Sequence, residues 1–222
     1  MTENLYGELE PLDIKCTSTD CEDGLHCFKQ KQKRKKSMLK EEKAAYGAEP
    51  SGEITRLGGP CRECGADLID WERLDKHDLW DVAYTFDALR NELVRHYYWH
   101  LEIDQRAKNH ALRKGSVEMH AYVENRIRRS VGPEQPYRDG TQTPIHQSGN
   151  IVHYAQHATA SCCRACIEEW HGIPRGRALT ESEIGYLTEL AMLYIKERLP
   201  ELAPQGKKIP PIRSAAAPTT RP

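Results

Sequence analysis

The sequence predicts an α+β protein that is rich in helix, with a zinc-ribbon-like hairpin and knuckle near its N-terminus, long central helices and a C-terminal Cys/His zinc module. Three observations lead to this class. Apolar residues recur at helical spacing from Asp78 onward, the segments around Asp23 and Gly24 have the composition of a β-hairpin, and the eight cysteines fall into two groups. The 222 residues are enough for one or two domains with a hydrophobic core.

The bulk composition gives no sign of a membrane protein or of a strongly basic one. The formal net charge is -1, so no overall field draws the chain to nucleic acid or to a membrane surface. No stretch approaches the roughly 20 apolar residues that span a bilayer, and residues 1–11 lack the apolar core of a signal peptide. We therefore expect a cytoplasmic protein, in which thiols stay reduced and paired Cys-x-x-Cys spacing indicates metal binding.

Four regions are predicted along the chain. They are a zinc-ribbon-like region with a basic insert at 12–75, a helical region at 78–131, a Cys/His module at 133–200 and a disordered tail at 201–222. The hairpin is predicted over 12–28, with its turn at Asp23 and Gly24. The tail is predicted to be disordered because it is rich in Pro, Ala, Lys and Thr.

The helices are predicted from apolar spacing and from their end signals. A long helix of about 35 residues, or a broken pair, is predicted over 78–115, with Gly115 as its stop. A second helix is predicted over 116–130. The last helix has the clearest signal, because Thr180 and Glu183 form a capping-box pattern in front of a regular apolar face.

The first candidate metal site combines the hairpin with the Cys-x-x-Cys-Gly sequence at 61–65. This knuckle turns tightly enough to place two sulfurs on one side, and a pair from the hairpin would complete a tetrahedron. The expected zinc ligands are Cys16, Cys21, Cys61 and Cys64. Cys27 is the main substitute and His26 a weaker one. Four thiolates leave no open coordination position, so the expected role is structural. The simpler alternative is a set of reduced core cysteines without metal.

The second candidate metal site lies within 151–174, where residues 151–155 are a possible strand and 161–170 a short helix. Cys163 and Cys166 are three residues apart and share a face of that helix. The preferred ligand set is His157, Cys163, Cys166 and His171, with Cys162 and His153 as alternates. Two zinc ions are therefore expected, one at each group.

The same residues allow a second kind of chemistry. A thiol at the start of a helix has a lowered pKa, and Cys162 and Cys163 lie at such a position with His157 nearby in sequence. A Cys–His pair is the minimum for thiol catalysis. The alternative function is thus a hydrolase or nuclease that uses this pair or an open zinc ion beside it. Plain packing of these side chains is the third possibility.

The leading prediction is a non-enzymatic zinc-binding module that contacts nucleic acid or a protein partner. Contact with nucleic acid is predicted from a basic run that could neutralise phosphates without reading sequence. Its central residues are Lys31, Lys33, Arg34, Lys35 and Lys36. The simpler interpretation of this run is a solvated loop.

The C-terminal half also contains an unusual set of sequence motifs. They are Asp139-Gly140-x-Gln142-Thr143-Pro144, Gln156-His157-Ala158-Thr159-Ala160-x-Cys162-Cys163-Arg164-x-Cys166 and Trp170-His171-Gly172-Ile173-Pro174. With these motifs, about residues 126–198 resemble an uncharacterised bacterial family of domains of unknown function. The resemblance implies that this region is a self-contained module, and it implies no activity. The N-terminal ribbon and the long helix lie outside the part that shows it.

Overall fold

The computed structural model describes residues 17–28, 59–61, 63–144, 148–210 and 212. The predicted ligand Cys16 and the basic run with Lys31, Lys33, Arg34, Lys35 and Lys36 lie outside these residues. Within them the protein is all-α and forms no strand, so the predicted α+β class is wrong. The same described residues contain one isolated β-bridge, a parallel one between His26 and Glu92.

The described helices follow one another along most of the chain. They are α1 (Ser18–Glu22), α2 (Trp71–Asp75), a 3-10 turn (Leu79–Asp81), α3 (Val82–Arg90), α4 (Leu93–His100), α5 (Gln105–Ser130), α6 (Ile151–Ala158), α7 (Arg164–His171) and α8 (Glu181–Arg198). None of the helices in the described ranges is both long and apolar enough to cross a membrane.

The described part of the predicted hairpin begins with a helix because its first residues form a capping box. The Thr17 hydroxyl accepts a hydrogen bond from the Asp20 N–H at 3.3 Å, and the Asp20 carboxylate accepts one from the Thr17 N–H at 2.8 Å. The chain around Cys21 therefore winds into α1 and cannot pair as a strand. A turn does follow at Asp23 and Gly24, and Gly24 adopts a φ of 77°.

The possible strand at 151–155 is also helical. The Asn150 side chain accepts a hydrogen bond from the Val152 N–H at 3.0 Å and so starts α6. Ile151, Val152 and Ala155 are fully buried on this helix. The β-branched residues at its start favoured a strand, and the cap together with burial favours the helix.

The long helix predicted over 78–115 is divided into separate pieces by acidic N-caps. Glu92 accepts a hydrogen bond from the Arg95 N–H at 2.9 Å and starts α4, and Asp104 accepts one from the Ala107 N–H at 2.9 Å and starts α5. The predicted stop at Gly115 is present as a break inside α5, where this glycine has φ 71° and ψ 171°. The chain resumes its helical course at once after it.

The main hydrophobic core is built around α8. This helix packs against α3, α5 and α6, while α4 packs against α6. Tyr186, Leu187, Leu190 and Tyr194 of α8 are almost completely buried there. One continuous core extends from Phe86 to Leu199, so the predicted helical region and the predicted Cys/His module share it.

A smaller second core attaches the N-terminal segments to this bundle. It contains Cys27, Phe28, Cys61, Ile69, Leu74, Ala88, Leu89, Ala160 and Trp170. The ring centroids of Trp71 and Trp170 lie 5.4 Å apart, which joins α2 to α7. Cys21 and Cys61 of one group and Cys166 of the other all contact this second core, so the two groups of cysteines lie on the same side of the bundle.

A segment that follows α8 packs against the break in α5 at Gly115. The Ser116 N–H donates to the Ala203 carbonyl at 2.8 Å, and the Lys207 N–H donates to the Leu112 carbonyl at 2.8 Å. Residues 203–207 thus supply the hydrogen bonds that the interrupted helix lacks. The predicted disordered tail begins at 201, and this first part of it is paired along α5.

The predicted capping box of α8 is confirmed and is strengthened by an ion pair. The Thr180 N–H donates to the Glu183 carboxylate at 2.8 Å, and both nitrogens at the end of Arg177 donate to the same carboxylate at 2.9 and 2.5 Å. Burial alone would raise the pKa of Glu183, but the hydrogen bonds from Arg177 and Thr180 lower this pKa to about 2.

We expect Glu183→Ala to lower the free energy of unfolding by roughly 1–2 kcal/mol, because the cap and the ion pair are lost together. Glu183→Gln is the matched control, since its amide oxygen still accepts from Thr180 and only the charge is removed. The advantage of the wild type over Glu183→Gln should be complete above about pH 4.5 and decline as the pH falls toward 2, because the folded state has the lower pKa. Urea unfolding at several pH values measures this, and an advantage that does not change with pH would contradict the ion pair.

Candidate metal centres

The turn that carries Cys61 and Cys64 is fixed by its own backbone. The Gly65 N–H donates to the Cys61 carbonyl at 2.8 Å, and the Cys61 N–H donates to the Ala66 carbonyl at 2.8 Å. Gly65 has a φ of 74°, a conformation that glycine adopts without strain. The chain therefore reverses between the two cysteines and brings their sulfurs to the same side.

His26 is held in place by the start of α4. Its N–H donates to the Asn91 carbonyl at 3.1 Å, and its carbonyl accepts from the Leu93 N–H at 2.8 Å. The side chain is buried and its ring lies 5.4 Å from that of Phe28, centroid to centroid. Cys21 reaches the same place from the last turn of α1. Two separate stretches of the chain, one with Cys21 and His26 and one with Cys61 and Cys64, therefore meet at one point, which we call the N-terminal site.

The N-terminal site consists of Cys21, His26, Cys61 and Cys64, whose ligand atoms all lie within 4.8 Å of one another. The sulfurs of Cys21 and Cys61 are 3.9 Å apart, and the Cys64 sulfur is 3.5 Å from Nδ1 of His26. Zinc–sulfur and zinc–nitrogen bonds of ordinary length, arranged as a tetrahedron, place two sulfurs about 3.8 Å apart and a sulfur and a nitrogen about 3.6 Å apart. The observed separations therefore have the size that a zinc ion requires.

Three of the four predicted ligands of the first group are thus brought together. The fourth, Cys16, lies outside the described residues, and His26 is the residue that joins the other three. Cys27, the main predicted substitute, is buried in the second core, and the described ligand atoms within 4.8 Å do not include its sulfur. His26, the weaker substitute in the sequence, lies five residues after Cys21, beyond the end of α1 and the turn at Asp23 and Gly24.

The second group in the structure consists of three cysteines, Cys162, Cys163 and Cys166, which we call the cysteine triad. Their sulfurs lie within 4.8 Å of one another. Cys163 is the N-cap of α7, and its sulfur accepts a hydrogen bond from the Cys166 N–H at 3.4 Å. The Thr143 hydroxyl donates to the Cys162 carbonyl at 3.0 Å and so fixes the preceding turn. The short helix was predicted to begin at Ser161, and α7 begins at Arg164.

The two histidines that were predicted to join this group make other contacts. Nε2 of His157 lies 3.0 Å from the Thr143 carbonyl oxygen, and Nε2 of His171 lies 3.0 Å from the Thr159 carbonyl oxygen. Nδ1 of His171 is 3.3 Å from the Tyr186 hydroxyl. Burial lowers the pKa of both imidazoles, to about 3 for His171, so both are neutral at pH 7. Neither is among the described ligand atoms that converge on the triad.

The thiols of Cys162 and Cys163 hold their protons in the absence of a cation. Hydrogen bonds with Cys163 and Cys166, together with burial, keep the pKa of Cys162 well above its usual value. The hydrogen bond with Cys162 works in the opposite direction for Cys163, yet the bond with Cys166 and burial raise the pKa of Cys163 to about 11. A thiol that is activated as a nucleophile has a lowered pKa, so the raised pKa values of Cys162 and Cys163 argue against these two residues as reactive thiolates.

A buried ion pair lies next to the triad. The side chains of Arg95 and Glu92 are only 4% and 0% exposed, and Nε of the arginine is 3.7 Å from the carboxylate. The arginine also donates to the His157 carbonyl at 2.6 Å. Burial opposes its charge, but the acidic groups of Cys166 and Glu92 hold the pKa of Arg95 above its usual value. Sequence reasoning missed this residue, because an arginine on an amphipathic helix is ordinarily exposed.

Comparison with known proteins assigns the helical bundle to a family. Residues 83–196, about half of the chain, match the family described as a domain of unknown function, DUF4186. The match includes the cysteine triad and Arg95, and the N-terminal site lies before it. No solved structure matches the chain. The predicted resemblance to an uncharacterised family is thereby confirmed at the level of the family, with a match that begins at 83 and not near 126, and the chain belongs to the DUF4186 family.

Proposed function

We propose that this protein binds zinc and that the N-terminal site holds one Zn²⁺ ion. The observation that supports this most strongly is the pair of separations at that site, 3.9 Å between two sulfurs and 3.5 Å between a sulfur and an imidazole nitrogen. Three thiolates and one imidazole are a common set for structural zinc. Because four protein ligands close the coordination sphere, the ion has a structural role and takes no part in chemistry.

The role that fits this site is to attach the N-terminal segments to the DUF4186 domain. α1 has no buried residue, and the turn at 61–65 exposes Cys64. The second core gives the described part of these segments only Cys27, Phe28 and Cys61 as buried apolar residues, which is little for folding by packing alone, and a metal can supply the missing free energy. His26 transmits the attachment, since its backbone is hydrogen-bonded to residues on both sides of Glu92.

A second zinc ion is proposed at the cysteine triad. This proposal keeps Cys163 and Cys166 of the predicted ligand set and takes Cys162, an alternate in the sequence, in place of His157 and His171. The reason is that the triad sulfurs converge, whereas the imidazole nitrogens face protein oxygens. Soft thiolates select zinc over the hard divalent cations.

Contact with nucleic acid or a protein partner remains a prediction from the sequence. It depends on the basic run between His26 and Cys61, which is outside the described residues. In this proposal the N-terminal zinc would anchor both ends of that insert to the DUF4186 domain, since ligands precede and follow it in the chain. The enzymatic alternative depends on whether the triad has an open coordination position.

Elemental analysis of the purified protein tests the zinc proposal. We expect about two equivalents of zinc in the wild type and about one in each of Cys61→Ser and Cys166→Ser, because each variant removes a ligand from one site only. Cys27→Ser is the matched control, a buried cysteine outside both groups, and it should retain two. A wild-type protein that contains no zinc and takes up none when Zn²⁺ is added would contradict the proposal.

A further inference from the structure

We propose that this protein binds a small phosphate monoester in a basic pocket on one face of α5, which we call the arginine pocket. The pocket has a volume of about 380 Å³. Arg106, Asn109, His110 and Arg113 of α5 form one wall, and residues 148–149 and Ile212 form the other sides. The described ligands of the two metal centres do not line it, so the inference does not depend on either zinc ion.

The shape of the pocket is set by the start of α5. Arg106, His110 and Arg113 follow one another at intervals of four and three residues, so they share one face of the helix. The Asp104 cap also accepts a hydrogen bond from the Gly149 N–H at 3.2 Å, which holds the opposite wall against the first turn. A Cβ added at Gly149 would lie 3.6 Å from the Arg106 Cβ, so the two walls are close together there.

The charge of the pocket is positive and is not neutralised by the residues that the structure describes. Among these, Arg106 and Arg113 form no ion pair, and no carboxylate lines the pocket. The guanidinium of Arg113 donates to the carbonyls of Ile209 and Pro210 at 3.0 and 3.2 Å, which fixes its position and leaves its charge in place. Residues 145–147, 211 and 213–222, which neighbour pocket residues in the sequence, contain no Asp or Glu. An anion is therefore the ligand that the pocket attracts.

Two further side chains of the pocket can donate hydrogen bonds to an anion. Asn109 is 8% exposed, and its amide oxygen accepts from Gln105 at 2.9 Å, which leaves its amide nitrogen as a donor. Nδ1 of His110 is buried and has no hydrogen-bond partner among the described residues. Burial and the charges of Lys114 and Arg113 lower the pKa of His110, so its ring is neutral at pH 7 and one of its nitrogens carries a proton. A ligand oxygen at this place would satisfy polar groups that are costly to leave unpaired.

A phosphate monoester is the anion that fits these groups best. It carries a charge of about −1.5 to −2 at pH 7, which matches two arginines, whereas a carboxylate compensates only one. Three terminal oxygens can accept from both guanidinium groups and from the amide or the imidazole together. The volume of the pocket leaves room for a short carbon group beside the phosphate, and the partly exposed side chain of Ile212 offers that group an apolar contact.

Isothermal titration calorimetry of the full chain tests the inference, with glycerol 3-phosphate as the probe. We expect saturable binding by the wild type in the millimolar range or tighter, and competition by inorganic phosphate but not by glycerol. Arg106→Gln should weaken the binding roughly 10- to 100-fold, because a charge-assisted hydrogen bond is lost. Arg129→Gln is the matched control, since it removes an exposed arginine of the same helix that does not line the pocket, and it should bind like the wild type.

Three results would overturn the inference, namely no saturation by the probe in the millimolar range, equal affinities of Arg106→Gln and Arg129→Gln, or acetate binding as tightly as the probe. Arg106→Gln should fold, because Arg106 makes no hydrogen bond or ion pair to the described residues. If it does not fold, NMR of the wild type decides, since the probe should shift the ring signals of His110, and unchanged signals would contradict the site. Zinc content is measured separately, so failure here leaves the zinc proposal intact.

Discussion

Cys64→Ser is expected to release the N-terminal segments from a DUF4186 domain that stays folded. Cys64 is exposed, so the substitution removes little packing, and nearly all of its effect comes from the lost zinc ligand. Apparent binding free energies of structural zinc are about 10–16 kcal/mol, so the local loss of stability should amount to several kcal/mol. Hydrogen exchange measures it, with protection lost over 17–28 and 59–66 and retained in α8.

The control for this variant is Glu63→Ser, an exposed change in the same turn that leaves all four ligands in place. It should keep the exchange pattern of the wild type. Treatment of the wild type with a zinc chelator should remove the same protection over 17–28 and 59–66 as Cys64→Ser does, together with any protection that the triad zinc supplies. If Cys64→Ser and Glu63→Ser exchange alike over 17–28, the zinc ion does not hold this segment.

Gly115→Ala is expected to destabilise the whole bundle by roughly 2–4 kcal/mol, because it combines backbone strain with a steric clash. Gly115 has a φ of 71°, which an alanine adopts only at a cost. An added Cβ would also lie 2.6 Å from both the Pro204 carbonyl oxygen and the Gly206 nitrogen, atoms of the segment that closes the break in α5. Thermal or urea unfolding of the full chain measures the effect.

Gly140→Ala separates the two contributions. Gly140 also has a positive φ, 92°, but a Cβ there would meet nothing within 4 Å. This control should therefore show the cost of strain alone, about 1 kcal/mol. Equal losses in the two variants would mean that the 203–207 segment does not pack closely against α5 in solution.

Capping residues decide how far the sequence predicts this fold. The box at Thr180 and Glu183 stands in front of a regular apolar helix, and α8 starts there as predicted. Glu92 and Asp104 also cap helices by accepting backbone hydrogen bonds. They lie inside a continuous apolar pattern, so the sequence does not indicate that helices begin there. At Thr17 the helix cap prevails over the hairpin composition. Its two hydrogen bonds join residues only three apart, whereas a strand would need a partner elsewhere in the chain.

The candidate sites were predictable to a similar degree. The knuckle at 61–65 fixes its own sulfurs by local hydrogen bonds, so spacing alone identified it. The partner of those sulfurs depends on long-range pairing between His26 and the start of α4, for which the sequence has no local signal. The burial of Arg95 likewise arises only when α4 packs against α6, which turns a polar helical position inward.

The connection between α3 and α4 has a consequence for both metal centres. Asn91 and Leu93 are both hydrogen-bonded to the backbone of His26. Glu92, which lies between them, carries the carboxylate beside Arg95. A single added or deleted residue at this point would move the imidazole of one centre and the counter-charge of the other in the same step. The length of this loop is therefore constrained both by the hydrogen bonds to His26 and by the Glu92–Arg95 ion pair.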